Sequence, residues 1–295
     1  MRNFLGSRAL PNFIYHRPTN MEEALWLLKN LKGECKIIAG CTDFIPAIRR
    51  GAWSFSDGLN VIDIKGIKEL SLIAKEGERI RIGAATKLSE IVRSPTIRKH
   101  ALVLAEAVRE MGSLQVRNFG TVGGNLCTAS PAADTAPPFL VLDAKVKVKG
   151  IGKEEIVPLT KFFVGPGETI LGSREILTEI QFPAMKPDEQ HCWIKMGRRN
   201  GFTLSVISLA TRVKVKDGVF DTVRIALGAV APTPMRATEA EGYLIGKEKS
   251  AHVINEGCKI VAREVKPISD VRASSEYRKD MAYVLTKRAL MAGLK

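Results

Sequence analysis

Cysteine is scarce in this sequence, and no two cysteines have the spacing of metal or cluster ligands. The five thiols lie far apart along the 295 residues, at Cys35, Cys41, Cys127, Cys192 and Cys258. Because no C-x-x-C pair occurs and the number is odd, the pattern argues against a zinc site, an iron–sulfur cluster held by this chain alone and a secreted disulfide framework. The four histidines are scattered as well, so we expect no metal site.

Aromatic residues and long apolar runs are also in short supply. Aromatic side chains make up 6% of the chain, and no apolar run approaches the roughly 18 residues of a membrane-spanning helix. The opening residues MRNFLGSRALPNF include arginines but no continuous apolar core, unlike a signal peptide. We therefore predict a cytoplasmic protein without membrane insertion.

Negative charge is in deficit, with 31 acidic against 45 basic residues and a net charge of +14. Such a balance raises nucleic acid as a partner. The basic residues are nevertheless spread along the whole chain, and no interleaving with aromatic residues suggests base stacking. A basic surface that docks an acidic protein explains the charge equally well, and we predict no nucleic-acid partner.

The stretch 116–143, VRNFGTVGGNLCTASPAADTAPPFLVLD, is the most informative part of the chain. Gly120, Gly123 and Gly124 fall within five positions, with Thr121 and Val122 between the first two and Asn125 directly after the last. Glycine permits backbone conformations and close approaches that a Cβ atom blocks, so the backbone N–H groups here are candidates for a pyrophosphate-binding nest. A glycine run this short is also compatible with an ordinary turn. The second half is a turn-rich segment that ends on Asp134.

A second glycine loop, 40–43 with the sequence GCTD, follows a short predicted strand at 36–39. Two backbone nests that face each other would hold the two phosphates of a dinucleotide. Neither loop is a Rossmann fingerprint, since no G-x-G-x-x-G opens a helix after the first strand. Neither is a P-loop, since no G-K-[ST] follows.

The remaining pattern predicts an α+β protein of two domains, 1–185 and 186–295, with the boundary at the polar run 186–189. In the first domain we expect a capping box at Thr19–Glu22, a helix from Thr86, and a longer helix over 97–111. In the second we expect three antiparallel strands and then three helices on one sheet face. Those strands lie at 192–196, 204–216 and 223–230, and the helices at 237–244, 251–265 and 274–291.

Several motifs in this order resemble one family. They are AGCTD at 39–43, TVGGN at 121–125, SPAAD at 130–134, FVGPG at 163–167, EILTEI at 175–180, IALGAVAPTPMR at 225–236 and DVRASSEY at 270–277. Together they are similar to the FAD-binding medium subunits of molybdenum hydroxylases, such as carbon monoxide, xanthine, nicotinate and aldehyde dehydrogenases. The resemblance covers about Pro11 to Leu290. It implies a vanillyl-alcohol-oxidase (PCMH)-type FAD domain of two α+β subdomains, followed by a C-terminal flavoprotein domain.

The resemblance also implies which residues hold FAD. They are Ile37, Ile38, Ala39, Gly40, Cys41, Thr42, Asp43, Phe44, Met111, Thr121, Val122, Gly123, Gly124, Asn125, Ser130, Asp134, Leu177 and Lys195. By the same resemblance Gly40, Thr42 and Asp43 lie closest to the pyrophosphate, and Asp134 bonds the sugar-alcohol or ribose part of FAD.

Several of these residues have a plainer interpretation. Asp134 is equally suited to cap the next helix, Leu177 to fill a core, and Lys195 to lie in solvent. Cys41 stands where a second glycine is commoner in the family.

The implied activity is electron transfer, with no catalytic acid, base or nucleophile on this chain. A large molybdenum subunit and a small subunit with two [2Fe–2S] clusters would be the partners, as a dimer of heterotrimers. The resemblance leaves the final electron acceptor open.

The nearest enzyme alternative is a UDP-N-acetylenolpyruvylglucosamine reductase, against which the SPAAD and IALGAVAPTP segments argue. A basic nucleic-acid-binding protein is the alternative that is not an enzyme.

Overall fold

A computed structural model describes residues 10, 12–51, 58–199 and 201–292. The prediction that the chain begins without a signal peptide concerns residues 1–13. Of these, residues 1–9 and 11 lie outside the described ranges. The α+β class is confirmed. No helix within the described ranges is both long and apolar enough to cross a membrane.

The N-terminal subdomain is built on a three-stranded parallel sheet. The strands are β1 (Phe13–His16), β2 (Cys35–Ile38) and β3 (Leu59–Asp63), in the order β1-β3-β2. Two helices cover it, α1 (Met21–Asn30) and α2 (Phe44–Arg49). Successive β3 side chains point to opposite faces: Ile62 packs with α1, and Val61 packs with α2. The loop that leaves β2 therefore enters α2 at one end of the sheet.

The second subdomain is an antiparallel five-stranded sheet in the order β4-β5-β10-β6-β7. Its strands are β4 (Ile73–Glu76), β5 (Arg79–Gly83), β6 (Lys145–Gly150), β7 (Lys153–Pro158) and β10 (Ile176–Pro183). A small hairpin, β8 (Phe163–Gly165) and β9 (Glu168–Thr169), precedes β10. The helices are α3 (Leu88–Arg93), α4 (Pro95–His100), α5 (Leu102–Arg109), α6 (Leu114–Phe119), α7 (Val122–Thr128) and α8 (Ala136–Val141). Short 3₁₀ turns lie at Ile64–Gly66, Lys68–Leu70 and Leu159–Lys161.

The C-terminal lobe contains the three predicted strands, β11 (Glu189–Gly197), β12 (Ser205–Lys216) and β13 (Val219–Gly228), and a two-residue edge strand, β14 (Met235–Arg236). The three predicted helices follow as α9 (Thr238–Leu244), α10 (Ala251–Glu264) and α11 (Ser275–Met291). One sheet face packs on these helices through residues such as Leu209 and Ile225, while their neighbours Ala210 and Ala226 join the core of the preceding subdomain. The alternation along the strands thus packs the C-terminal lobe against the N-terminal lobe, which the two subdomains form.

Three details of the predicted helices are wrong. The capping box is shifted by one residue, because Asn20 caps α1 and accepts the N–H of Glu23. Thr86 does not cap α3, since its hydroxyl donates to the carbonyl of Leu72. The helix expected over 97–111 is two helices, α4 and α5, which are separated by the non-helical backbone of Ala101.

Candidate functional site

The two glycine loops, far apart in sequence, touch each other. A Cβ atom added at Gly40 would lie 2.4 Å from the carbonyl oxygen of Phe119 and 2.7 Å from the Cα of Gly120. Both distances are far below van der Waals contact, so only glycine permits this approach at position 40. The predicted convergence of the loops is present, as a direct backbone contact.

The first loop offers backbone donors. No acceptor for the N–H groups of residues 40–43 is found in the part of the chain that the structure describes. Cys41 has a left-handed backbone with φ of 58°, a conformation that non-glycine residues adopt mainly where function or context demands it. A run of unbonded N–H groups that includes one left-handed residue is the chemistry of an anion-binding nest. These residues therefore fit a pyrophosphate.

The thiol of Cys41 is not an activated group. Its side chain is half-buried and lies 3.7 Å from the carbonyl oxygen of Ala39. Burial raises the pKa of this thiol, with a smaller opposing effect of Lys65. The thiolate is the reactive form of cysteine, so the structure gives Cys41 no nucleophilic role.

The second loop is not a nest of bare N–H groups, and that prediction is wrong. Thr121 caps α7, and Gly123 and Gly124 lie in the first turn of this helix. Four successive N–H groups are already bonded within the protein. Val122 donates to the carbonyl oxygen of Thr86, and Gly123 donates to that of Ala84. Gly124 donates to the hydroxyl of Thr121, and Asn125 donates to the carbonyl oxygen of Thr121. Gly123 is needed for packing, because its added Cβ would lie 2.6 Å from Ala84. At Gly124 the added Cβ would meet only the Thr121 hydroxyl, at 2.8 Å, and otherwise open space.

Asp134 joins the two lobes. One carboxylate oxygen accepts from Lys195 Nζ of β11 at 2.7 Å, and the other accepts from Ser205 Oγ of β12 at 2.5 Å. Burial raises the pKa of Asp134, and the adjacent Lys195 and Ser205 oppose that rise. The alternative that Asp134 caps the next helix is wrong, since Thr135 precedes α8 and no side chain caps it.

Lys195 is not a solvated surface charge. The Lys195 and Asp134 side chains are only 5% and 6% exposed. The ammonium also donates to the carbonyl oxygen of Glu110, at 3.1 Å. Glu110 directly precedes Met111, which is half-buried against the main core. Lys195 thus connects three segments that the resemblance associates with FAD.

The remaining predicted site residues are mostly packed or bonded within the protein. Leu177 and Val122 are buried in the main core, and the sequence alternative that Leu177 is a core residue fits its position. Asn125 accepts a 2.6 Å hydrogen bond from Thr135 Oγ1, and Ser130 accepts one of 3.2 Å from the N–H of Ala132. Around the first loop the apolar residues Ile37, Ile38, Ala39 and Phe44 pack into the small cores beside the parallel sheet.

One inter-lobe cluster was missed by the sequence reasoning. Asp143 follows α8 and lies against three arginines of the C-terminal sheet: Arg212 at 3.7 Å, Arg224 at 3.1 Å and Arg236 at 2.9 Å. Arg212 also pairs with Glu189, and Arg236 with Glu241. These residues are spread over about a third of the chain without a motif, so no local pattern signals the cluster.

The described residues include no group of three His, Cys, Asp or Glu side chains placed to hold one metal ion. The chemistry of the site therefore consists of backbone donors, apolar walls and one buried ion pair. Groups of this kind are suited to binding and orienting a cofactor.

Comparison with known proteins identifies the family of the chain. Residues 11–185 match the family described as the FAD binding domain in molybdopterin dehydrogenase, and residues 193–292 match the CO dehydrogenase flavoprotein C-terminal domain. The chain is 30% identical over 282 residues to the carbon monoxide dehydrogenase medium chain of Hydrogenophaga pseudoflava, covering 96% of this chain and 97% of that one. It is 32% identical over 284 residues to the nicotinate dehydrogenase FAD-subunit of Eubacterium barkeri, covering 95% of each.

A solved structure shows the same fold. Carbon monoxide dehydrogenase from Hydrogenophaga pseudoflava, in a form that lacks the Mo-pyranopterin moiety, superposes with a TM-score of 0.91 at 31% identity, over 97% of this chain and 99% of that chain. These matches fit the medium-subunit interpretation and do not fit the reductase alternative. The chain belongs to the family of FAD-binding subunits of molybdenum hydroxylases.

Proposed function

We propose that this chain carries FAD as the electron-transfer subunit of a multi-subunit molybdenum hydroxylase. In this role it takes electrons from the [2Fe–2S] clusters of a partner and passes them to an external acceptor. The single observation that carries the proposal is the match of both family domains, in order, over residues 11–185 and 193–292. The unbonded N–H run at 40–43, which suits a diphosphate, supports it.

FAD supplies the redox chemistry, and this chain supplies binding and position. We propose that the N–H groups of residues 40–43 hold the pyrophosphate. The open side of Gly124, which an added Cβ would fill, faces the same cofactor in this proposal. Asp134 would then bond the sugar-alcohol or ribose part of FAD, Lys195 would lie near the cofactor, and Met111 would offer an apolar wall. No proton transfer by a side chain of this chain is required.

We also propose the finer features that the family suggests. The partners are a large molybdenum subunit and a small subunit with two [2Fe–2S] clusters, joined as a dimer of heterotrimers in the cytoplasm. The domain boundary lies near residue 185, in the short connection between β10 and β11. The basic excess of the chain suits contact with an acidic partner.

Purification of the chain, alone and together with the products of the neighbouring reading frames, tests this function. The proposal predicts a yellow protein with a flavin spectrum and stoichiometric FAD, and co-purification of molybdenum and iron with the complex. A chain that takes up no FAD would overturn it. Oxidation of NADPH by the isolated chain with the enolpyruvyl sugar nucleotide would instead favour the reductase.

A further inference from the structure

The Lys195 ammonium lies at the junction of three separate segments. It donates to Asp134, which closes the loop between α7 and α8, and to the carbonyl oxygen at the C-terminal end of α5. Lys195 itself belongs to β11. It lies 61 positions after Asp134 in the sequence. One side chain therefore fixes the distances among a strand, a helix end and a loop.

The second oxygen of Asp134 is also held from the C-terminal lobe. Ser205 Oγ, on a residue that is fully buried, donates to it. Strands β11 and β12 are adjacent in the sheet, so both donors come from one rigid surface. The orientation of the carboxylate is thus determined by the C-terminal lobe, although Asp134 belongs to the FAD domain.

A lysine suits this junction better than an arginine does. Its compact ammonium directs three N–H donors in different directions, whereas a guanidinium is planar and favours a bidentate contact. The carboxylate and the Glu110 carbonyl oxygen use two of the three donors. With the side chain 5% exposed, bulk water does not substitute for these contacts.

We propose that Lys195 is a positioning residue that acts on FAD through Asp134, by setting the direction of the carboxylate beside the cofactor. The inference rests on the proposed FAD site. It differs from a role in which Lys195 contacts the flavin as a lone charge. It predicts that loss of Lys195 and loss of Asp134 have the same effect on the cofactor and do not add.

The test compares Lys195→Met, Asp134→Asn, the double variant, and Arg224→Met. Arg224 is a matched control, because it also pairs across the lobes, with Asp143, but is tied to none of the three segments held by Lys195. For each full-length chain we would measure FAD affinity by fluorescence quenching, the visible flavin spectrum, and the thermal midpoint without FAD.

We expect Lys195→Met to weaken FAD binding at least tenfold and to change the flavin spectrum. The double variant should bind FAD no more weakly than either single variant, and its thermal midpoint should recover because no unpaired charge is left buried. Arg224→Met should lower the thermal midpoint and leave FAD affinity within twofold. If Lys195→Met is insoluble, the FAD affinity of the neutral double variant is compared with that of Asp134→Asn. Equal affinities support the inference, and a weaker affinity in the double variant overturns it.

The inference is overturned if Lys195→Met retains the FAD affinity and spectrum of the unaltered chain, or if the two single effects add in the double variant. It is overturned as well if Arg224→Met weakens FAD as much as Lys195→Met does, since the effect would then be one of general stability. An unaltered chain that binds no FAD would refute the proposed function itself, and with it this inference.

Discussion

At the scale of single residues, the first glycine loop is shaped by two unusual positions. Gly40 allows the loop to touch Phe119 and Gly120, and Cys41 turns the chain with a left-handed backbone. The backbone angle at position 41 suits glycine, which has no Cβ atom, better than cysteine. An L-residue in this region is disfavoured by about 1–2 kcal/mol because its Cβ approaches the carbonyl oxygen.

Cys41→Gly should therefore stabilise the protein, by up to about 1 kcal/mol after the greater flexibility of glycine in the unfolded chain is deducted. The measurement is urea unfolding of the apoprotein. Cys35→Gly is the control, since Cys35 lies in β2 without a left-handed backbone and should lose about 1 kcal/mol. A loss of stability in Cys41→Gly would contradict this expectation, because it would show that the contacts of the thiol stabilise the fold by more than the left-handed backbone destabilises it.

Gly40→Ala should separate the two loops, because the new methyl group would meet Phe119 O and Gly120 Cα. We expect a loss of about 1–3 kcal/mol of stability from overpacking and FAD binding at least tenfold weaker. Gly242→Ala in α9 is the control, since its added Cβ would meet no described atom within 4 Å beyond its neighbours and its own helix backbone, and it should be neutral or stabilising. Calorimetric titration with FAD gives the comparison, and normal affinity in Gly40→Ala would refute the role of the loop contact.

At the scale of elements, the turn before α11 is organised by one carboxylate. Asp270 accepts from the N–H groups of Arg272 and Ala273 and pairs with the guanidinium groups of Arg272 and Arg278. Arg278 is buried and also donates to the carbonyl oxygen of Ala229, at the end of β13. The DVRASSEY motif thus fixes the start of α11 against the sheet.

Acid should weaken this turn within a defined pH range. Burial would raise the pKa of Asp270, but the N–H groups and arginines around it outweigh burial and lower the pKa to about 2 from 3.8. The folded state therefore binds fewer protons than the unfolded state between these values. The contribution of Asp270 to stability is fully present above pH 4 and is lost as the pH falls toward 2. Asp270→Asn should reduce the pH dependence of urea unfolding in that range, and an unchanged dependence would contradict the assignment.

At the scale of the whole molecule, the lobes are joined by buried apolar packing and by ionic clusters at separate places. Ala210 and Ala226 contribute the apolar part, and Asp143 with its three arginines forms the larger ionic cluster. These contacts hold the lobes in one arrangement, and we propose that FAD lies between them. Lobe spacing is then a property of the apoprotein.

Asp143→Asn should loosen this arrangement without altering the local backbone, since asparagine also tolerates the φ of 53° at this position. We expect a loss of about 1–3 kcal/mol, because three partly buried arginines lose a shared counter-charge. Asp188→Asn, which removes an exposed pair with Lys214, should change stability by less than about 1 kcal/mol. Equal effects in the two variants, measured by urea unfolding, would contradict a special role for the cluster.

The fold class, the C-terminal order of strands and helices and the convergence of the two glycine loops could be predicted from the sequence. Alternating strands, glycine spacing and several motifs in one order carry that information locally. The start of a helix at TVGGN could not be predicted from the sequence, because glycine is unfavourable in helices. The close packing of Gly123 against Ala84 appears only in the folded structure. The partners of Asp134 and Asp143 come from distant strands, and nothing local to either residue predicts them.

The most direct test of the account is a structure of the chain with FAD bound. The central claim is that the loop at 40–43, pressed against Gly120, holds the diphosphate, with the flavin between the lobes beside Asp134 and Lys195. We predict pyrophosphate oxygens within about 3 Å of backbone nitrogens in that loop, and the Lys195–Asp134 pair intact. A diphosphate bound elsewhere, with those N–H groups facing only solvent, would contradict the account.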